Sequence, residues 1–432
     1  MFGGKSLIFI FGLLFTPIIS RIYDPLAYGT YAFYSSVVVN MAMLVSLKIP
    51  SAFVLISSEK RFRLVIKSLF GIAIIGAALV ALVWLLIQTW YPHLFQNEIQ
   101  NSLWHFIGLG IFFHITTDIL GNWNVREKSF KRSTAVSITE SVSTKIGTIG
   151  IGILFSSPVI GQIIGEFIGK FLHILVQIPL FIKSRASYLI PIFSFSAYRW
   201  LLREFKEFPL YVLPSTWIGF LANSIVIIFL SAEFSIEDVG SYSMAIGLLN
   251  IPVMVIAHSA QPLLMQKVVE LTNAGREVSD PINKFVIAMI ISSVVMLLIA
   301  FPVTEYLINI FLGAGWEKSA QFVKWMLPMI GLQLLYQPLS GVLIGLKKIK
   351  PILTANMIRI SILSLGLIVI HYLEYNFDTA VKQIIIIGLV ALSIPLVLII
   401  KKSTGQIKPN LIVILLVYLL ITVLGYLWFG FG

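Results

Sequence analysis

The sequence predicts an all-α protein that crosses a membrane twelve or thirteen times, and three observations predict it. Hydrophobic residues make up 58% of the 432, where soluble domains hold roughly 45–50% with glycine included. They gather into thirteen apolar stretches, at about 3–20, 29–56, 64–90, 103–124, 133–155, 159–183, 208–231, 239–264, 281–304, 320–346, 352–373, 379–400 and 411–430. Most reach the roughly 20 residues that a helix needs to span the hydrocarbon core. The basic residues, finally, fall in every second gap between those stretches. A soluble core could not bury thirteen such segments, and lipid satisfies no backbone N–H or C=O, so the segments must be helical.

The charge pattern also orients the chain. Lys5 and the alternate gaps after it hold 23 of the 31 basic residues, in clusters such as Lys60, Arg61, Arg63 and Lys67, or Arg126, Lys128, Lys131 and Arg132. The opposite gaps hold only Arg21, Lys318 and Lys382, beside acids such as Glu233, Glu237 and Asp238. Basic residues resist translocation, which puts the first set and the N-terminus in the cytoplasm. The net charge of +12 is then a matter of orientation toward an anionic leaflet rather than a nucleic-acid footprint. With no cysteine, disulfides and thiolate metal sites are excluded. Residues 3–20 lack a small-residue cleavage site and are expected to be a first span rather than a signal peptide.

The first six stretches form a block over 1–183. Residues 184–207 follow as a long cytoplasmic linker, in which aromatic and basic residues alternate from Phe193 to Phe208, as in an amphipathic helix lying on the inner leaflet. The next six stretches make a second block over 208–402, and 403–432 add one further hydrophobic helix. The blocks echo each other. Tyr28-Gly29-Thr30-Tyr31 opens the second stretch and Val239-Gly240-Ser241-Tyr242 the eighth, with Pro50 and Pro262 following at similar distance. Both stretches run from outside to inside, which suits repeats related by an axis along the membrane normal.

Eight charged residues fall inside spans or near their ends: Lys48, Asp118, Glu140, Lys145, Glu166, Lys170, Lys324 and Arg359. A charge at mid-bilayer costs roughly 2.5–3.5 kcal/mol on the insertion scale, so each needs a partner, an aqueous cavity or a function. Glu166 and Lys170 are four apart in the order that favours an ion pair. Beside them Gly161, Gly165 and Gly169 repeat at four-residue spacing, which permits close helix approach. The fourth span carries His114, Thr117, Asp118, Gly121 and Asn122, and the fifth Ser133, Ser137, Glu140, Ser141, Thr144 and Thr148. These two polar stripes are expected to face each other or water. They are either interhelical glue or a titratable site for a coupling ion, H⁺ or Na⁺, with Asp118, Glu140 or Glu166 as the carboxylate. Lys48 has no acid three or four residues away and shares its span with Asn40; such a cation either snorkels or lines a cavity that receives an anion. Asn250, His258 and Gln261 recur on one face of the eighth span, which is expected to line the same space. Arg359 and Lys324 are expected to snorkel.

No Walker A sequence, His-Glu-x-x-His or Gly-x-Ser-x-Gly occurs, so no enzyme is expected and neither a catalytic residue, a metal nor a cofactor is assigned. Three stretches carry a family resemblance. They are Pro17 to Pro25 with Tyr28-Gly29-Thr30-Tyr31; Phe208-Pro209-Leu210 and Leu213-Pro214-Ser215 with Val239 to Ala245 and Ile251-Pro252; and Phe311-Leu312-Gly313-Ala314-Gly315-Trp316. In these the chain resembles the Wzx-type flippases of lipid-linked oligosaccharides, in the superfamily that includes MATE multidrug exporters and the lipid II flippase. The resemblance implies a MATE-like pair of six-helix lobes with pseudo-two-fold symmetry around a central cavity, with fourteen spans in longer relatives. It implies a bacterial inner-membrane protein whose substrate is a polyprenyl-pyrophosphate-linked oligosaccharide, with a polysaccharide polymerase and glycosyltransferases as partners. On it, Lys48, Asn40, Lys145, Lys170, Asn250 and His258 are the candidate substrate-binding residues. A MATE-type drug antiporter and a membrane-embedded glycosyltransferase or polymerase are the competing readings; the absence of acids within the first, second, seventh and eighth spans disfavours the former, and the short outer gaps the latter.

Overall fold

A computed structural model describes residues 2–91, 103–155, 159–346, 348 and 350–404. Among them the chain is all helix. The α-helices are α1 (Phe2–Ile22), α2 (Pro25–Ser46), α3 (Glu59–Trp90), α4 (Trp104–Arg126), α5 (Phe130–Leu154), α6 (Gly161–Arg185), α7 (Phe195–Glu204), α8 (Leu213–Glu233), α9 (Ile236–Asn273), α10 (Ser279–Leu312), α11 (Glu317–Gly345), α12 (Lys350–Tyr372) and α13 (Phe377–Thr404). Each of the first twelve apolar stretches thus becomes a helix. The thirteenth, 411–430, lies outside the described residues. Among the described residues, seven helices are long and apolar enough on their own to cross a membrane, and α2 with the 3₁₀ turn Ile49–Leu55 makes an eighth if that bent pair is one span. Helices α4, α5 and α6 fall outside that count and are the three that carry the interior acids. The protein is a multi-pass membrane protein.

The chain packs as two compact units, Met1–Gly240 and Ser241–Gly432. Packing therefore divides it one helix later than the linker: α8 lies against α2 in the first unit. The core of that unit is aromatic toward the ends rich in basic residues. Phe62 meets Phe53 and Trp123 edge-on at 5.2 and 5.5 Å, and Trp123 stacks on Tyr188 at 5.7 Å. A charged clamp closes over these rings. The Arg126 guanidinium lies 3.8 Å from the Phe62 centroid, and its Nη2 donates to Glu59 Oε2 at 3.1 Å. Tyr188 donates to Glu59 Oε1 at 2.9 Å.

The glycines of the two echoing tetrapeptides, Gly29 and Gly240, come together within the first unit. Asp24 caps α2, accepting from Ala27 N at 2.9 Å, and Ser235 caps α9, accepting from Asp238 N at 3.2 Å. Five residues after each cap stands a glycine, and the two meet. A Cβ on Gly29 would overlap the Ile236 carbonyl oxygen and sit 2.9 Å from Gly240 N; one on Gly240 would overlap the Pro25 carbonyl oxygen and sit 2.8 Å from Gly29 N. Only hydrogen in place of a side chain allows the two backbones this close.

In the second unit α11 is the most buried span, with 72% of its apolar window inside. Prolines 328 and 338 sit within it, tolerated because neighbouring helices satisfy the freed backbone groups. The turn into α11 uses Gly313 and Gly315 at φ 91° and 88°, a region that glycine occupies at no steric cost. Tyr336 donates to Asn356 Oδ1 at 2.9 Å, and Ser319 to the Ser241 carbonyl at 2.9 Å.

Candidate functional site

Several interior charges of the first unit gather in a polar core along α6. Its side chains Glu166, Lys170, His173 and Gln177 recur at i, i+4, i+7 and i+11, so they line one face of the helix. Lys170 Nζ lies 2.6 Å from Glu166 Oε1 and 3.2 Å from His114 Nδ1 on α4. The Lys170 side chain is 7% exposed and that of Glu166 14%. Tyr31 on α2 lies beside the Glu166 carboxylate. One turn further, His173 Nδ1 is 2.6 Å from Glu140 Oε2 on α5, and its Nε2 is 2.6 Å from Gln177 Nε2. Gln177 Oε1 accepts from Asn124 Nδ2 on α4 at 2.9 Å. Three helices thus contribute to two buried groups one turn apart on α6: Glu166, Lys170 and His114 in one, and Glu140, His173, Gln177 and Asn124 in the other.

Close packing makes the network possible. A Cβ on Gly169 would overlap Thr144 Oγ1 and lie 2.8 Å from the Glu140 carbonyl oxygen, and one on Gly165 would overlap Thr148 Oγ1. The glycine row on α6 therefore seats α5 close enough for Glu140 to reach His173. Several polar atoms here remain open. Tyr34 Oη, Asn40 Oδ1, Gln162 Nε2 and Glu166 Oε2 are buried and make no hydrogen bond. A buried polar group left unpaired costs about 1–3 kcal/mol, so these atoms mark capacity for a polar ligand or a proton.

The expected residues fall out as follows. Glu166 and Lys170 form the anticipated pair, which leaves Lys170 engaged. The α4 and α5 stripes do not meet each other directly: His114 reaches Lys170 and Glu140 reaches His173, because α6 takes the polar partners of both. Asp118 accepts from Asn122 Nδ2 at 2.9 Å within its own helix. Lys145 is half-buried on α5. Asn40 is buried and donates to the Ser36 carbonyl at 2.7 Å. Asn250 is exposed on α9, and the side chain of His258 lies outside the described residues. Lys324 pairs with Glu305 at 3.5 Å, and Arg359 lies 6.0 Å from the Tyr336 ring centroid.

Lys48 stands apart. It is not inside a continuous second span, because α2 stops at Ser46 and bends by 49° into Ile49–Leu55. Leu47 and Lys48 bridge the break at φ 52° and 55°, a left-handed conformation that costs a side-chain-bearing residue energy and concentrates at functional positions. Pro50 gives the physical reason: continuing α2 would set its ring against the Ser46 carbonyl, and it has no N–H to donate there. The Lys48 side chain at the break is half-buried.

His173, Gln177, Asn124 and Tyr31 are absent from the sequence-based candidates. The four-and-three spacing from Glu166 through Gln177 was the available signal. Among the described residues, no cluster of three or more His, Asp and Glu could hold a metal ion.

Bent, proline-broken spans and buried ionic groups define a polytopic helical membrane protein. Solved structures match this chain at the level of fold. The lipid II flippase MurJ, in its inward closed conformation, superposes with a TM-score of 0.72 at 15% identity over 98% of this chain and 91% of that one. An inward-facing multidrug resistance MATE family transporter of the MOP superfamily gives 0.62 at 12% over 94% of each. The eukaryotic MATE transporter AtDTX14 gives 0.57 at 14% over 97% and 98%. None of these neighbours is an enzyme. The family model described as "Polysaccharide biosynthesis protein" matches residues 18–321, and the chain belongs to that family. No curated protein matches it.

Proposed function

We propose that this protein flips a polyprenyl-pyrophosphate-linked oligosaccharide across the bacterial cytoplasmic membrane by alternating access, during assembly of a surface polysaccharide. The observation that carries the reading is a family match in polysaccharide biosynthesis on a fold shared, over nearly the whole chain, with a lipid II flippase. A glycolipid pyrophosphate must leave water to cross, and a cation held in place eases that step. Lys48 fits the task, since it stands at a strained break between two helical segments rather than within a regular turn. Asn40, Lys145, Asn250 and His258 are secondary candidates for the head group. Lys170 is a weaker one, because Glu166 already neutralises it. Residues 25–55 contain no acid, which disfavours a cationic drug there. The polymerase and glycosyltransferases of the same assembly are the proposed partners, and the N-terminus is placed in the cytoplasm.

Energy for the cycle comes from ion exchange at the first-unit core. Glu140 is the favoured carboxylate, with Asp118 and Glu166 behind it. An imidazole nitrogen 2.6 Å from the Glu140 oxygen suits a proton better than Na⁺, which prefers a cage of oxygens. Gln177 is in direct contact with this pair, at 2.6 Å from His173 Nε2.

Purified protein in liposomes, given a fluorescent lipid-linked oligosaccharide, tests the reading. Lys48→Ala removes a charge-assisted contact and should slow translocation on the order of 10- to 100-fold while the protein stays folded. An unchanged rate would remove Lys48 from the site.

A further inference from the structure

The linker helix α7 is held at one depth by its contacts with α3. Ile192 N donates to the Lys67 carbonyl at 3.0 Å. One turn on, Gly71 leaves room for the chain: a Cβ there would overlap both the Ile192 carbonyl oxygen and the Tyr198 hydroxyl. Tyr198 donates to that same carbonyl at 2.6 Å, and Leu201 is fully buried in the cluster that includes Ile66 and Leu69. In α3 every charge lies in Glu59–Lys67, and Ser68–Trp90 carries none. Contacts at Lys67 and Gly71 therefore set α7 at the level where α3 passes from charged to apolar, which is the membrane–water boundary.

The outer face of α7 has a composition suited to that level. Phe195, Arg199, Leu202 and Arg203, at i, i+4, i+7 and i+8, share one face, and all are exposed, Phe195 by 81%. Phe193 just before the helix and Lys206 just after it are exposed as well. The acid of the helix, Glu204, is on another side and pairs with Arg61 at 3.1 Å. A face that mixes large apolar groups with cations and carries no acid is disfavoured in water and complementary to an anionic bilayer surface.

We propose that this face binds anionic phospholipid of the leaflet it touches. Phe193, Phe195 and Leu202 enter the acyl boundary, while Arg199, Arg203 and Lys206 hold headgroup phosphates. The site is separate from the polar core and does not depend on what the protein translocates. Its effect is to fix the linker in the membrane plane.

Two measurements on the full chain decide the matter. First, the protein has no cysteine, so Phe195→Cys takes a single nitroxide label. In phosphatidylcholine vesicles containing phosphatidylglycerol, its collision with oxygen should exceed that with a water-soluble nickel chelate, as for a buried label. Second, native mass spectrometry of protein extracted from those vesicles should show retained phosphatidylglycerol over phosphatidylcholine. Arg199→Gln/Arg203→Gln/Lys206→Gln should lower that preference by about fivefold per cation removed, and Arg199→Lys/Arg203→Lys should keep most of it. A label as open to the nickel chelate as one at exposed Ser57 would overturn the proposal. So would an unchanged lipid preference in the Gln variant.

Discussion

Lys170→Met tests the buried pair that organises the polar core. The substitution keeps the volume of the side chain and removes its charge, so Glu166 loses its counter-charge in a pocket where its side chain is 14% exposed. Breaking a buried pair from one side costs about 3–5 kcal/mol, whereas replacing both partners by uncharged groups of similar volume is often close to neutral. Glu166→Gln/Lys170→Met should therefore recover much of the loss, with a coupling of about 2 kcal/mol or more between the sites. Neutralising Glu166 removes the uncompensated charge, though His114 still lacks its contact at 3.2 Å. Unfolding in mixed micelles, followed through the nine tryptophans, gives the four stabilities required. A double variant that loses the simple sum of the two single losses would refute the reasoning, because the charges would then be solvated separately.

Other perturbations address other links of the account. Gly240→Ala and Gly29→Ala each drive a methyl group into a backbone carbonyl, and overpacking of that kind costs about 1–3 kcal/mol or more; both should melt well below the parent. Gly12→Ala, with nothing within 4 Å of the new Cβ, should be neutral or slightly stabilising. Arg126→Ala removes contacts to the Phe62 ring, Glu59 and the Ile56 carbonyl and should destabilise by about 1–3 kcal/mol, measured in the same unfolding assay. His173→Asn and Glu140→Gln should each abolish the acceleration of transport by an imposed pH gradient while slow downhill exchange persists. Retained acceleration in both would move the coupling site elsewhere.

Much of this was readable from composition and spacing. Twelve apolar stretches became helices because lipid leaves the backbone no other option, and the four-residue spacing of Glu166 and Lys170 delivered the ion pair. The Gly29 and Gly240 echo also came from residue identity, yet their mutual contact did not: spacing along a chain says nothing of which helices cross. Lys48 was misjudged in its setting, since hydropathy runs smoothly through 47–49 and only Pro50 hints at a break. The polar stripes of α4 and α5 were visible as stripes, but which helix receives each depends on rotation about the axes, and α6 supplied the partner for both. His173 was overlooked because a lone histidine in an apolar helix is uninformative until its neighbour across the gap is known.

The most direct test is leaflet translocation in proteoliposomes containing a fluorescent polyprenyl-pyrophosphate oligosaccharide, read by an impermeant quencher. Vesicles with the parent protein should expose the inner-leaflet probe to quencher far faster than empty vesicles, and those with Lys48→Ala should lag behind. Parent vesicles no faster than empty ones, or active only on a cationic dye, would contradict the account.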